Sequence, residues 1–520
     1  MILKYLLLDG CIVINISPES RLALKKKLLV SSPTFEELNS GSCLNLLEKT
    51  QIQSKEYKGL LNSITKLFKR KNATKVEEIE LILGLDFGTS STKIIIRDRD
   101  LDSSTPVEFN FKSNPYLVST SVKLNGEGVF FIDSVSSAKS LKIDFMKLNS
   151  LEDDRELSCK VVSFLATVLR HSRSWFLKRN NEIYKESDIF WKVNMGAPIG
   201  LMEVEEKSKI YEEAINKAWL LSKKTYKDIN KHEYVHNFLF SENNEQMNEV
   251  SLMISPEIAA LSLGYVKARR LDPDKPLLLL IDVGSSTLDT CLINIDAIER
   301  RFSFWAALIS NKGAGYLHQT RVKGIIRDIK ETGLGEETQD LFEELQQELN
   351  SGFLFSEIPE KVTEYVSNSL FSEESKAKGR EESFSRDVKS QLDREYLEDG
   401  ENITGVGKKG MIAILHDIAP LNISDYRDRI ETILCGGGSN CEFYRGIINE
   451  FKRPVLHLNE INIPPDLKIK KDKENCMLLM NVSYGLSFGE DWKVSFSSQL
   501  SEIKLKKSNW EDNFREHLGK

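Results

Sequence analysis

The 520-residue sequence predicts an α/β protein with chain enough for two lobes, each with its own core. Three observations predict it. The apolar runs Leu81–Leu85 and Ile94–Ile96 flank Asp86-Phe87-Gly88-Thr89-Ser90-Ser91. The pattern returns between Leu277–Ile281 and Thr290–Ile295, where the bend reads Asp282-Val283-Gly284-Ser285-Ser286-Thr287-Leu288-Asp289. A third run, Ile433-Leu434-Cys435, enters Gly436-Gly437-Gly438-Ser439-Asn440, followed by a helical segment over Glu442–Glu450.

Each element has a chemical reading. Aliphatic and β-branched runs around a Gly/Ser/Thr bend read as β-hairpins. Gly88 lets the backbone turn sharply and approach a ligand, and the small residues after it offer N–H and O–H donors to an anion. Asp86, and Asp282 in the second hairpin, can hold Mg²⁺ through water, since that ion keeps part of its hydration shell. Strand, glycine turn and helix N-terminus together suit the phosphate or sugar face of a nucleotide.

On these motifs the chain resembles the superfamily of actin, sugar kinases and the seventy-kilodalton heat-shock chaperones. Asp86–Ser91 matches the first phosphate motif, Asp282–Asp289 the second and Gly436–Ser439 the adenosine motif. Ser255–Tyr265 is similar to the first connecting helix and Met480–Gly489 to the second. The strand-like Val193–Pro198 before a helical Glu203–Ser222, and Gly313 and Gly315 within Asn311–Val322, favour the chaperone branch. The resemblance runs from Ile79 to Glu490. It implies an actin-like ATPase fold: two lobes, each with a mixed β-sheet and helices, around a nucleotide cleft. It divides the chain into an accessory region 1–78, lobe I over 79–270, and lobe II over 271–474 with a charged helical insertion at about 325–402. A return helix at 475–490 and a tail at 491–520 follow.

The same resemblance implies the site. ATP or ADP with Mg²⁺ is expected between the hairpins, held by Gly88, Thr89, Ser90, Ser91, Gly284, Ser285, Ser286, Thr287, Gly313, Gly436, Gly437, Gly438 and Ser439. Asp86 and Asp282 are the expected metal-orienting carboxylates. The family's phosphate-reaching lysine is assigned to Lys147, with Lys142 second. The glutamate that positions water in the family is replaced by Ser255, leaving hydrolysis to rely on Asp282 or on Glu257, two residues later. Slow hydrolysis and a nucleotide-driven conformational switch for a protein partner follow. That partner is expected to dock through residues 1–78 or the lobe II insertion. About thirty residues follow the second connecting helix, so a peptide-holding chaperone cycle is not expected. A filament-forming actin relative and a small-molecule kinase on the same fold are the alternatives.

The rest of the chain narrows these readings. A net charge of −7 argues against nucleic-acid binding. Cys11, Cys43, Cys159, Cys291, Cys435, Cys441 and Cys476 are scattered and never in a Cys-x-x-Cys pair, which suits a reducing, cytoplasmic setting. No apolar run has the length of a membrane span. Met1–Ile16 reads as a strand pair turning at Asp9-Gly10, and Tyr57–Lys71 as an amphipathic helix. Leu157–Leu177 repeats apolar residues at helical spacing, and Asn125-Gly126 marks a turn between strands. Glu373–Asp399 mixes acids and bases as a solvated helical face or arm does. His232-Glu233-Tyr234-Val235-His236 fits a zinc-protease pattern, but no third ligand is evident near it, and it reads as a chance match.

Overall fold

A computed structural model describes residues 4–8, 11–15, 77–109, 114–132, 141–185, 187–198, 205–241, 250–268, 277–296, 300–332, 339, 343, 376–394, 410–418, 429–452, 454–459, 463–470, 477–489 and 493–496. The chain divides into two compact units. In the first, strands β1 (Lys4–Leu8) and β2 (Cys11–Asn15) form the expected antiparallel hairpin. The expected helix over 57–71 lies outside the described residues, as does most of the stretch from 333 to 375.

The second unit is a mixed α/β body with two six-stranded sheets flanked by helices. The first sheet is built from β3 (Glu77–Phe87), β4 (Ser91–Asp98), β5 (Ser103–Pro106), the short β6 (Val118–Ser119), β9 (Ser187–Ala197) and β10 (Val250–Pro256). Its order is β10-β9-β3-β4-β5, with β6 beside β4. The second contains β11 (Leu277–Val283), β12 (Leu288–Asp296), β13 (Arg301–Ser310), β14 (Arg429–Cys435), β15 (Val455–Asn459) and β16 (Lys493–Phe496), ordered β15-β14-β11-β12-β13-β16. One plan recurs. Three consecutive strands run antiparallel, and two later strands, parallel to each other, add on the side of the first.

Burial follows the sequence pattern. Leu81, Leu83, Leu85 and Ile94–Ile96 are fully buried, as continuous apolar runs require when both sheet faces are covered. Strands β7 (Val122–Leu124) and β8 (Phe130–Ile132) form a small hairpin around the predicted turn. The Asn125 side chain accepts from the N–H groups of Glu127 and Val129, and Gly128 carries the positive φ of 72°. Helix α1 (Leu141–Lys147) precedes the long α2 (Arg155–Arg179), whose N-cap Asp154 accepts from Leu157 N–H at 3.0 Å. Val161, Leu165, Val168 and Leu169 of α2 are buried, as their spacing predicts. Helices α3 (Glu205–Leu221), α4 (Tyr226–Asn230) and α5 (His232–Phe240) lie between β9 and β10 in the chain.

Two helices join the sheets. Helix α6 (Glu257–Ala268) follows β10, and α11 (Met477–Leu486) follows β15 in the chain; the two pack on each other. Their contact depends on absent side chains: a Cβ on Gly485 would sit 1.7 Å from the carbonyl oxygen of Ala260, and one on Gly264 would sit 2.5 Å from Asn481 Oδ1. Gly84 on β3 is equally bare beneath α11, where a Cβ would meet Ser483 O at 2.3 Å. Leu261, Leu280, Ile293, Met480 and Tyr484 form one core across this junction. The helix expected from Ser255 starts later, because Ser255 and Pro256 still pair with Gly196 and Ala197 as strand.

The remaining helices belong to the second sheet: α7 (Ala314–Thr332), α8 (Glu382–Leu392), α9 (Met411–Ile418) and α10 (Glu442–Glu450). The expectation of a solvated helical face or arm over Glu373–Asp399 holds in part: over the described residues 376–394 the segment is helical with an exposed side, but its other side is buried. Phe384, Val388 and Leu392 of α8 join the sheet's core with Met411 and Tyr444. Charges beside them are internal and paired: Arg321 with Glu381, and Arg380 Nε with Asp328 at 2.8 Å. Burying such groups is tolerable only in pairs, and the pairing fixes the segment onto α7.

Candidate functional site

Both hairpin bends and the glycine turn meet in one recess. The first bend, at the β3–β4 junction, contributes Gly88, Thr89, Ser90 and Ser91. The second, at β11–β12, contributes Gly284, Ser285 and Thr287 and is closed by Gly284 N–H donating to Thr287 O at 2.9 Å. From β14 the chain enters Gly436, where φ is +83°, and the 3₁₀ turn Gly437–Asn440. Gly436 lies so close to Asp282 that a Cβ there would be 2.1 Å from its Oδ1. Only glycine fits. The recess is an open-mouthed cavity of about 120 Å³.

Charge concentrates on its walls. Asp86, Glu257, Asp282 and Asp289 face Lys93 and Lys142 there. Lys93 Nζ lies 3.1 Å from Asp86 Oδ2, and Lys142 Nζ 2.5 Å from Glu257 Oε1. Burial lowers the pKa of Lys142, but Glu257 and then Asp86 more than offset it and hold it above the ordinary lysine value. The Glu257 carboxyl is raised, chiefly by burial, against the pull of Lys142. Asp282 is pushed up to about 7 by burial and then by Asp86, and Asp289 to about 8 by burial and then by Asp282. Asp289 Oδ1 is buried with no hydrogen-bond partner. The recess thus gathers four carboxyl groups around two lysines, and burial raises three of the four.

The apolar side of the recess is Leu261 from α6 with Leu478, Leu479 and Val482 from α11. These four belong to the paired helices; none of them was given a place in the site from sequence. Nor was Lys93 or Asp289. Their signal was present, because the hairpin register puts Lys93 opposite Asp86 and Asp289 opposite Asp282.

Several expected residues stand elsewhere. Lys147 is outside the recess, largely exposed and paired with Asp144 at 2.7 Å; Lys142, five residues earlier on the same short helix, takes its place. Ser286 and Gly313 lie behind the second bend, Gly313 N–H donating to Ser286 O at 3.1 Å and Ala314 N–H to Gly284 O at 3.0 Å. They brace the loop and do not line the recess. Ser439 is buried beneath the glycine turn, its carbonyl accepting from Arg445 Nε at 3.0 Å. Ser255 donates to Asn194 Oδ1 at 2.7 Å, whereas Glu257 enters the recess over Gly196, where a Cβ would meet its Cγ at 2.8 Å.

His232 and His236 lie on α5, with His232 edge-on to Phe130 at 5.5 Å and His236 tilted against Phe240 at 5.1 Å. Among the described residues no group of three or more His, Cys, Asp or Glu side chains is arranged to hold a metal ion. A cation in the recess would therefore draw most of its ligands from water and from a bound anion. Asp86 and Asp282, the two carboxyl groups beside the bends, are the oxygen donors that could hold such a hard divalent ion. Among the described residues no helix is long and apolar enough to cross a membrane.

Comparison with known proteins adds no family. No protein-family model matches the chain, and no curated protein matches it significantly.

Proposed function

We propose that the recess is a nucleotide site and that the chain is a Mg²⁺-dependent ATPase of the actin, sugar-kinase and heat-shock-chaperone superfamily. In this reading it hydrolyses slowly and serves a protein partner as a conformational switch. The observation that carries it is the convergence of both hairpin bends and the Gly436 turn on one recess flanked by Asp86 and Asp282. The recurrence of one strand plan in the two sheets, and the paired helices joining them, support the superfamily assignment.

In this reading the two bends take phosphate oxygens on their backbone donors, and Asp86 and Asp282 hold the metal. The metal, when bound, neutralises phosphate charge as a Lewis acid. Lys142 supplies a fixed positive charge beside the phosphates, and Glu257 orients the attacking water and accepts its proton. The Lys142–Glu257 ion pair must loosen before Glu257 can do so, a physical reason for slow turnover. Recesses for drug-sized ligands span roughly 300 to 1,000 Å³, well above the water-accessible space here, so nucleotide entry parts the two sheets. Rocking about the bare α6–α11 contact would then be the output read by the partner.

Single-turnover hydrolysis of radiolabelled ATP tests this. The wild type is expected to hydrolyse slowly, Glu257→Gln to lose about a hundredfold in rate with binding kept, and Asp282→Ala to lose metal-dependent binding. Unchanged hydrolysis in both variants would overturn the assignment.

A further inference from the structure

Gln391 is a fully buried amide on the inner face of α8, among Phe384, Val388 and Leu392. An apolar side chain would fill that space, and a buried amide is unfavourable unless its polar atoms are satisfied. Its atoms are satisfied. Nε2 donates to Thr290 Oγ1 at 3.0 Å and to the carbonyls of Leu288 at 3.1 Å and Leu308 at 3.4 Å. Oε1 accepts from Ser310 Oγ at 2.5 Å.

The partners matter. Leu288 and Thr290 stand on either side of Asp289, and successive strand residues point to opposite faces. Gln391 thus grips β12 from the face away from the recess, at the residues that set where the Asp289 carboxyl stands. That carboxyl lines the recess with Oδ1 unpartnered. Helix α8 is itself anchored, since Lys312 pairs with Asp387 at 2.5 Å and Tyr444 OH donates to Lys312 O at 2.7 Å.

We propose that Gln391 is a positioning residue: it fixes Asp289 in the recess and ties that placement to helix α8. The effect on nucleotide chemistry rests on the reading above; the positional claim does not. Amide hydrogen exchange on the full chain tests it. Gln391→Met, which keeps length and volume, is expected to raise exchange about tenfold over residues 287–291, as loss of one buried anchor implies, with β3 unchanged. Ser310→Ala, a milder change, is expected to raise exchange over the same residues by a smaller factor, and it decides the matter should Gln391→Met fail to fold. Unchanged exchange over 287–291, or an equal rise in both sheets, would overturn the proposal. If the wild type binds nucleotide, Gln391→Met should lower kcat more than it raises KM. If the wild type binds none, the nucleotide reading fails and the exchange result still decides the role of Gln391.

Discussion

The two hairpins share a place in their sheets but differ at one cross-strand position. Opposite Asp86 stands Lys93, and opposite Asp282 stands Asp289. The first hairpin pairs its carboxylate with Lys93 at 3.1 Å, while the second opposes two acids, each raised chiefly by burial and then by a neighbouring acid, Asp86 for Asp282 and Asp282 for Asp289. Like charges opposed across strands are destabilising. A fold that keeps them gains nothing from them in isolation, and in the nucleotide reading proposed above a bound cation would relieve them.

This asymmetry can be broken from either side. The largest effect is expected from Gly436→Ala, which drives a methyl group into Asp282 at a positive φ; a loss of about 3 kcal/mol in urea unfolding is expected. Next, Lys93→Met leaves Asp86 buried without its cation and makes the first hairpin resemble the second. A loss of about 2 kcal/mol is expected, reduced from a fully enclosed pair because both side chains retain some exposure.

Asp289→Asn acts in the opposite sense, and its sign follows from proton binding. Between the unfolded carboxyl pKa near 4 and the folded value of about 8, the folded chain holds a proton that the unfolded chain has released. Stability of the ligand-free protein therefore falls as pH rises through this window, by up to about 1.4 kcal/mol per pH unit for one group. Asp289→Asn should flatten the slope of unfolding free energy between pH 5 and 8; an unaltered slope would show that Asp289 does not carry it. The smallest effect is expected from Lys147→Ala, an exposed i,i+3 partner of Asp144 worth no more than about 0.5 kcal/mol. A large loss of stability or of nucleotide binding would return Lys147 to the recess.

Much of this arrangement was legible in the residues. The hairpins, the Gly436 turn and the helices over 155–179 and 442–450 follow from apolar period and glycine placement, which are local, and the helix over 205–221 was expected from the resemblance. Glu257 and Lys142 were within reach but not decided, because each depends on where an element begins or which face it turns inward. Pro256 remains in strand, and that makes Glu257 the first helical residue. On α1, Leu141 and Phe145 are buried, and Lys142 is carried inward with them while Lys147 is not. The pairing of Arg321 with Glu381, and the reach of Gln391 to β12, join residues far apart in sequence, and composition had made their segment look solvated. Periodicity does not encode such distant partners.

The most direct measurement is isothermal titration of the wild-type chain with ATP in excess Mg²⁺, repeated with a chelator and with an Asp86→Ala, Asp282→Ala double variant. The account predicts saturable heat with Kd on the order of 10 μM or tighter, abolished in both controls. Absence of heat in the wild type, or equal heat in the double variant, would contradict it.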